Sequence, residues 1–290
     1  MELAPGERPV EAGALARAGA SRRHDAVAAA AWALGLWLCW TAATYLLEGR
    51  VLTLTRPEDT GARILYSVVA NLLIGTAGSV YVLRRLVRKG VLSPQRSGFP
   101  VPRRTLLAVG AAIVLGSAAY AAQGPPTLDP VVLVNVYAQV LAVSVAEVLV
   151  CWSVIGGTVE ALSKPIRRRG TLVAALAAAA LFGAYHFAHS PPFNTVGAVV
   201  LLSVVGLVTG AFFFVSRDVY GTIVFHNCLG TIGVLGALER SGGLGMYTDV
   251  RAPIIAAGAL SLAALVMAHL VWLRTAGAPD RRRPGHDGDW

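Results

Sequence analysis

Eight runs of mainly apolar residues divide the chain, at 26–47, 64–83, 105–122, 130–160, 171–189, 195–215, 219–237 and 252–273. A helix needs about 20 such residues to cross the hydrocarbon core, so each run predicts one spanning helix. The chain therefore reads as all-α, a polytopic transmembrane bundle. The run at 130–160 is longer than a perpendicular crossing requires and predicts a helix that is tilted or extends past the membrane surface. Residues 1–25 form a polar N-terminal segment, and the long run after them predicts a retained first span, not a cleaved signal peptide. The basic, proline-rich connection at 84–104 is expected to lie along the headgroups. The tail at 274–290 has too little apolar content to fold and is expected to be disordered. No internal repeat of the kind that builds paired transporters is visible.

Composition agrees with lipid as the solvent: 55% of residues are hydrophobic, 14% are charged, and the mean hydropathy is +0.61. The net charge of +9 at first suggests nucleic acid. The placement of the cations gives a different reading. Of the 25 Arg and Lys residues, only Arg50, Arg56, Arg63, Arg240 and Arg251 fall on one side of an eight-span topology. The rest lie in the N-terminal segment, the connections at 84–104, 161–170 and 216–218, and the tail. This positive-inside pattern puts both termini in the cytoplasm, with membrane lipids as the partner of the charge. No RRM motif, zinc-ligand spacing or aromatic-interleaved basic helix accompanies it, so nucleic acid is set aside. Lysine is limited to Lys89 and Lys164 among abundant Arg and Ala, a GC-rich coding bias that fits a bacterial cell membrane. Cys39, Cys151 and Cys228 all lie in apolar runs, and their spacing suggests no disulfide.

Ionisable residues inside the runs are costly in hydrocarbon and are functional candidates by default. They are Glu147, His186, His189, His226 and, at the cytoplasmic edge, Glu160 beside Lys164 at i+4. Glu147 and His186 lie about 15 residues from the expected cytoplasmic surface, or ~22 Å, and His226 about 8 residues, or ~12 Å. Three titratable groups from three helices are thus expected to meet mid-bundle. His186 and His189 share a helix face with Phe182, while Glu147 shares one with Cys151. His189, near the far interface, is expected to be structural or to support the site from behind its leading residues. Cys151 is expected to be a small buried apolar group and no nucleophile. Asn135 and Gln139, one turn apart, are expected to hold helices together or to line a cavity.

Three segments carrying these residues resemble a known family. AEVLVCW (146–152), FGAYH (182–186) and HNCLG (226–230) are similar to the three motifs of the CPBP family, which includes the CAAX prenyl endopeptidases and bacteriocin-processing proteins. Its motifs read E-E-x-x-x-R, F-x-x-x-H and H-x-x-x-N/D, and the similarity covers about 130–237. Phe182 and His186 fit fully. Glu147 matches the second glutamate, but Ala146 stands for the first, Cys151 for the arginine and Gly230 for the closing Asn or Asp. The resemblance implies an intramembrane endopeptidase in which Glu147 and His186 activate a water in a cavity open to the cytoplasm. It further implies an oxyanion held by His226, with Asn227 standing in for the absent residue at 230.

The substrate implied is a peptide or membrane-associated protein, and no cofactor is expected. Glu147, His186 and His226 are also ligand types for a divalent metal, the lesser expectation because no H-E-x-x-H motif accompanies them. Two other functions remain open. The altered motif positions suit a catalytically inactive relative acting as a peptide-binding, immunity or accessory factor. Buried Glu and His residues also suit a proton-coupled transporter.

Overall fold

The computed structural model describes residues 8–52, 59–163 and 168–273, and among these it contains helices and no strand. Eight helices are long and apolar enough to span a membrane. They are α1 (His24–Gly49), α2 (Thr60–Arg88), α3 (Pro102–Ala122), α4 (Pro130–Leu162), α5 (Arg169–Ala188), α6 (Val196–Ser216), α7 (Val219–Arg240) and α8 (Ala252–Val271). α1 is the apolar part of a helix that begins at Arg8. The protein is a multi-pass membrane protein, and each sequence-predicted run corresponds to one helix with ends shifted by a few residues. The 274–290 tail lies outside the described residues.

Local chemistry sets the helix starts. Asp129 accepts from the Val131 and Val132 amides ahead of Pro130, and Asp59, Thr195 and Asp218 cap α2, α6 and α7 in the same way. α6 and α7 are separated by two residues: Arg217 turns left-handed at φ 51° and Asp218 begins the next helix.

The predicted long helix is the axle of the bundle. The most apolar stretch of α4 is 94% buried, against 17% for α1 and α3. Its residues Val145–Ile155 pack against Trp40 of α1, Leu83 of α2, Phe182 and Tyr185 of α5, Phe213 of α6, Ile223 of α7 and Leu265 of α8. Large apolar side chains on the outer helices, Leu38, Leu107, Val114 and Leu201 among them, face outward, where lipid covers them. Immediately after Glu147, α4 widens to π-type turns over Val148–Gly156, a departure from regular helix that is often found at functional sites.

The 84–104 connection departs from expectation. Its tip turns inward: Ser97 and Phe99 are buried, the Ser97 carbonyl accepts from Ser153 Oγ at 2.6 Å, and the Gly98 carbonyl accepts from the Val219 amide at 2.7 Å. Gly98 has φ +90°, and a Cβ there would lie 2.7 Å from the Phe213 ring. Small residues and satisfied carbonyls let the tip of this basic loop wedge into the bundle, while Arg88, Lys89, Arg103 and Arg104 stay exposed.

Two further polar expectations resolve. Asn135 donates to the carbonyls of Tyr247 and Asp249 and accepts from the Arg251 amide, while Gln139 accepts from Tyr247 Oη. Both tie α4 to the α7–α8 connection. Glu160 pairs with Arg217 (Nη1 at 2.7 Å) and accepts from Thr171 at 2.7 Å. Lys164, its expected partner, lies outside the described residues.

Candidate functional site

The axle helix carries Glu147 to a point where α5 and α7 both present a histidine. His226 Nε2 lies 2.8 Å from Glu147 Oε2 and His186 Nε2 lies 3.8 Å from Oε1. Glu147, His186 and His226 are 5%, 6% and 3% exposed, so the group is nearly sealed inside the bundle. The three sequence candidates therefore share one site, closer together than their unequal depths along straight helices suggested.

Hydrogen bonding fixes what each ring offers. A carboxylate only accepts, so His226 gives its Nε2–H to Glu147, and its Nδ1 takes a bond from the Thr209 hydroxyl at 3.1 Å. Both His226 nitrogens are thereby engaged. His186 Nδ1 donates to the Phe182 carbonyl at 2.9 Å, which leaves Nε2 as the bare acceptor facing Glu147. Phe182, the first letter of its motif, also sets its ring edge against His186 and His226, with centroids at 4.6 Å and 5.1 Å.

Asn227 is placed elsewhere. Its Oδ1 accepts from Ser144 Oγ at 3.0 Å and its Nδ2 donates to the Tyr137 carbonyl at 3.1 Å, so both ends of the amide pin α7 to α4. One residue along a helix is a rotation of about 100°, which turns Asn227 away from the face that carries His226. Gly230, where the family has its closing amide, packs on α4, and a Cβ there would lie 2.8 Å from Val140 Cγ1. Replacing Asn227 by Ala should lower stability by about 1 kcal/mol while leaving turnover per folded molecule within a few-fold. A hundredfold loss in a well-folded variant would return this residue to the oxyanion role.

Sequence reasoning missed one carboxylate. Glu48, in the last turn of α1, is 1% exposed and accepts from the Ser190 amide at 2.8 Å and the Ser190 hydroxyl at 2.6 Å. His189 Nδ1 is 3.5 Å from the same carboxylate, and the His189 ring stacks on His186 with centroids 5.0 Å apart. His189 is thus part of the cluster and not a bystander at the interface.

For a metal, the donors that meet are Glu147, His186 and His189, whose ligand atoms lie within 4.8 Å of one another. His226, expected in that set, has both nitrogens committed. His186 and His189 come at the end of α5 and Glu48 at the end of α1. The Ser97–Phe99 tip of the 84–104 connection is bonded to α4 and to the start of α7.

The chain is thus a multi-pass membrane protein with a buried carboxylate–imidazole cluster at the axle of its helical bundle. Residues 129–232 match the family model of Rce1-like proteins, the type II CAAX prenyl endopeptidases. The match takes in α4, α5, α6 and the His226 half of α7, where the CPBP resemblance was read. Comparison with curated proteins and with solved structures returned no match.

Proposed function

We propose that this protein is an intramembrane endopeptidase of the CPBP type, which hydrolyses a peptide bond with a water held between Glu147 and His186. One observation carries this reading. Glu147 Oε1 and His186 Nε2 are both acceptors, and they face each other across 3.8 Å. Two acceptors at that spacing cannot bond each other, but they can both draw on the protons of one water oxygen.

Glu147 takes a proton as the water oxygen attacks the peptide carbonyl carbon. Protonation of the carboxylate weakens its hold on His226 Nε2–H, which then turns to the developing oxyanion. When the C–N bond breaks, the proton passes to the leaving amine. Substrate is a peptide or the tail of a membrane-associated protein. The arginine-rich connections support a topology with both termini in the cytoplasm.

A second reading, a scaffold without turnover, draws support from Asn227 being pinned to α4 and from Gly230 lacking a side chain. Liposomes containing the protein and an internally quenched peptide pool with an acyl anchor separate the two. Cleavage that falls about 100-fold or more in His186→Ala supports the peptidase. A parent protein that cleaves nothing leaves the inert scaffold. Chelating divalent metals should leave the rate unchanged, and a loss restored by zinc would give the Glu147, His186 and His189 group to a metal.

A further inference from the structure

We infer that Glu48 and His189 form a second carboxylate–imidazole couple at the cluster, in which His189 is the base that holds the proton during hydrolysis and Glu48 positions it. The inference rests on the peptidase reading above and deepens it.

Glu48 sits on α1, outside the segment that matches the family model. A carboxylate at the end of an apolar run would ordinarily reach water. Here it is 1% exposed and turned inward, held by two donors from Ser190. Such a group is costly to bury and needs a partner. The remaining side of the carboxylate faces His189 Nδ1 at 3.5 Å. Nδ1–H directed at Glu48 makes Nε2 the free acceptor of the neutral ring. That nitrogen is buried and has no hydrogen-bond partner among the described residues, the feature that most needs explaining in a satisfied interior.

The ring is also fixed from the sides. It stacks on His186 at an interplanar angle of 20° and meets the edge of Tyr185 at 4.8 Å. Its ligand atom lies within 4.8 Å of those of Glu147 and His186. An oriented imidazole with an unused acceptor, in the same cluster as the opposed pair, is suited to proton transfer. Glu147, already bonded through Oε2 to His226, is a weakened base. With this couple present, Glu147 takes the proton of the water it holds with His186 and passes it on to His189 Nε2. The water oxygen bonds to the carbonyl carbon, the C–N bond breaks, and His189 returns the proton to the amine nitrogen. The opposite charge of Glu48 stabilises the imidazolium that forms in between.

The test uses the full chain in liposomes with the acyl-anchored quenched peptide pool. It compares the parent with Glu147→Gln, His189→Ala, His189→Gln, Glu48→Gln and Glu48→Asp, each checked for monodisperse elution. His189→Ala should lose about 100-fold in kcat with KM within twofold, and added imidazole should restore at least about tenfold of that loss. Glu48→Gln should lose about tenfold in kcat, and Glu48→Asp should recover part of it. A purely structural role would give no rescue by imidazole and no separation of kcat from KM. If His189→Ala and His189→Gln keep kcat within about threefold while Glu147→Gln is silent, the couple is overturned and the peptidase reading stands. A parent without cleavage, or one indifferent to Glu147→Gln, overturns both.

Discussion

Glu147→Gln should abolish peptide cleavage, with a loss in kcat/KM of about 1,000-fold or more, equivalent to about 4 kcal/mol of transition-state stabilisation. The substitution isolates chemistry from packing. Glutamine keeps the size of the side chain and an oxygen that accepts from His226 Nε2–H, so the 2.8 Å link between α4 and α7 survives. What disappears is the negative charge and the ability to take a proton from water opposite His186. Elution volume and thermal midpoint should stay near those of the parent. A folded Glu147→Gln protein that still cleaves within about tenfold of the parent would remove the carboxylate from the mechanism and with it the hydrolytic reading.

The largest effect on the fold is expected outside the cluster, at Gly221→Leu. A Cβ at this position would lie 2.5 Å from Ala108 Cβ and 2.8 Å from its carbonyl carbon, so α3 and α7 touch through backbone. Close approach of small residues is how helices associate where lipid supplies no hydrophobic drive. The same junction is stapled by Asp218, which accepts from the Gly221 amide at 2.7 Å and from Thr105 Oγ1 at 2.6 Å. A leucine must push the helices apart, at a cost of about 3 kcal/mol and a midpoint lower by about 5 °C or more. His226 lies five residues further along α7, so activity should fall with stability. An unchanged midpoint in detergent would mean that this contact is looser than described.

The eight helices were legible because an apolar run of fixed length is a one-dimensional signal, and lipid enforces it. Glu147, His186 and His226 were legible for the same reason, since hydrocarbon makes any ionisable group conspicuous. Glu48 was hidden by position. At the end of a run, beside Gly49 and Arg50, a carboxylate reads as interfacial, and only the packing of α1 against the end of α5 shows that it is enclosed. For His189 the same logic left a structural and a supporting role both open, and only its stacking on His186 sets it beside the cluster. Asn227, which the resemblance offered as a stand-in for residue 230, lies at a different helical azimuth from His226 and bonds to Ser144 and Tyr137. The inward turn of Ser97–Phe99 depends on two carbonyl partners from distant helices, which no local pattern announces.

The absent first glutamate also has a physical counterpart. A Cβ on Gly75 of α2 would come within 2.5 Å of the Ala146 methyl, so a longer side chain at 146 has no room on this face. The carboxylate that joins the cluster comes instead from α1.

The crowding of Gly230 against Val140 bears on redesign. An amide side chain at 230 would press on Val140 Cγ1, so that valine must shift or give way to a smaller residue to admit it. Building a complete third motif into this bundle is therefore best attempted with both positions changed together.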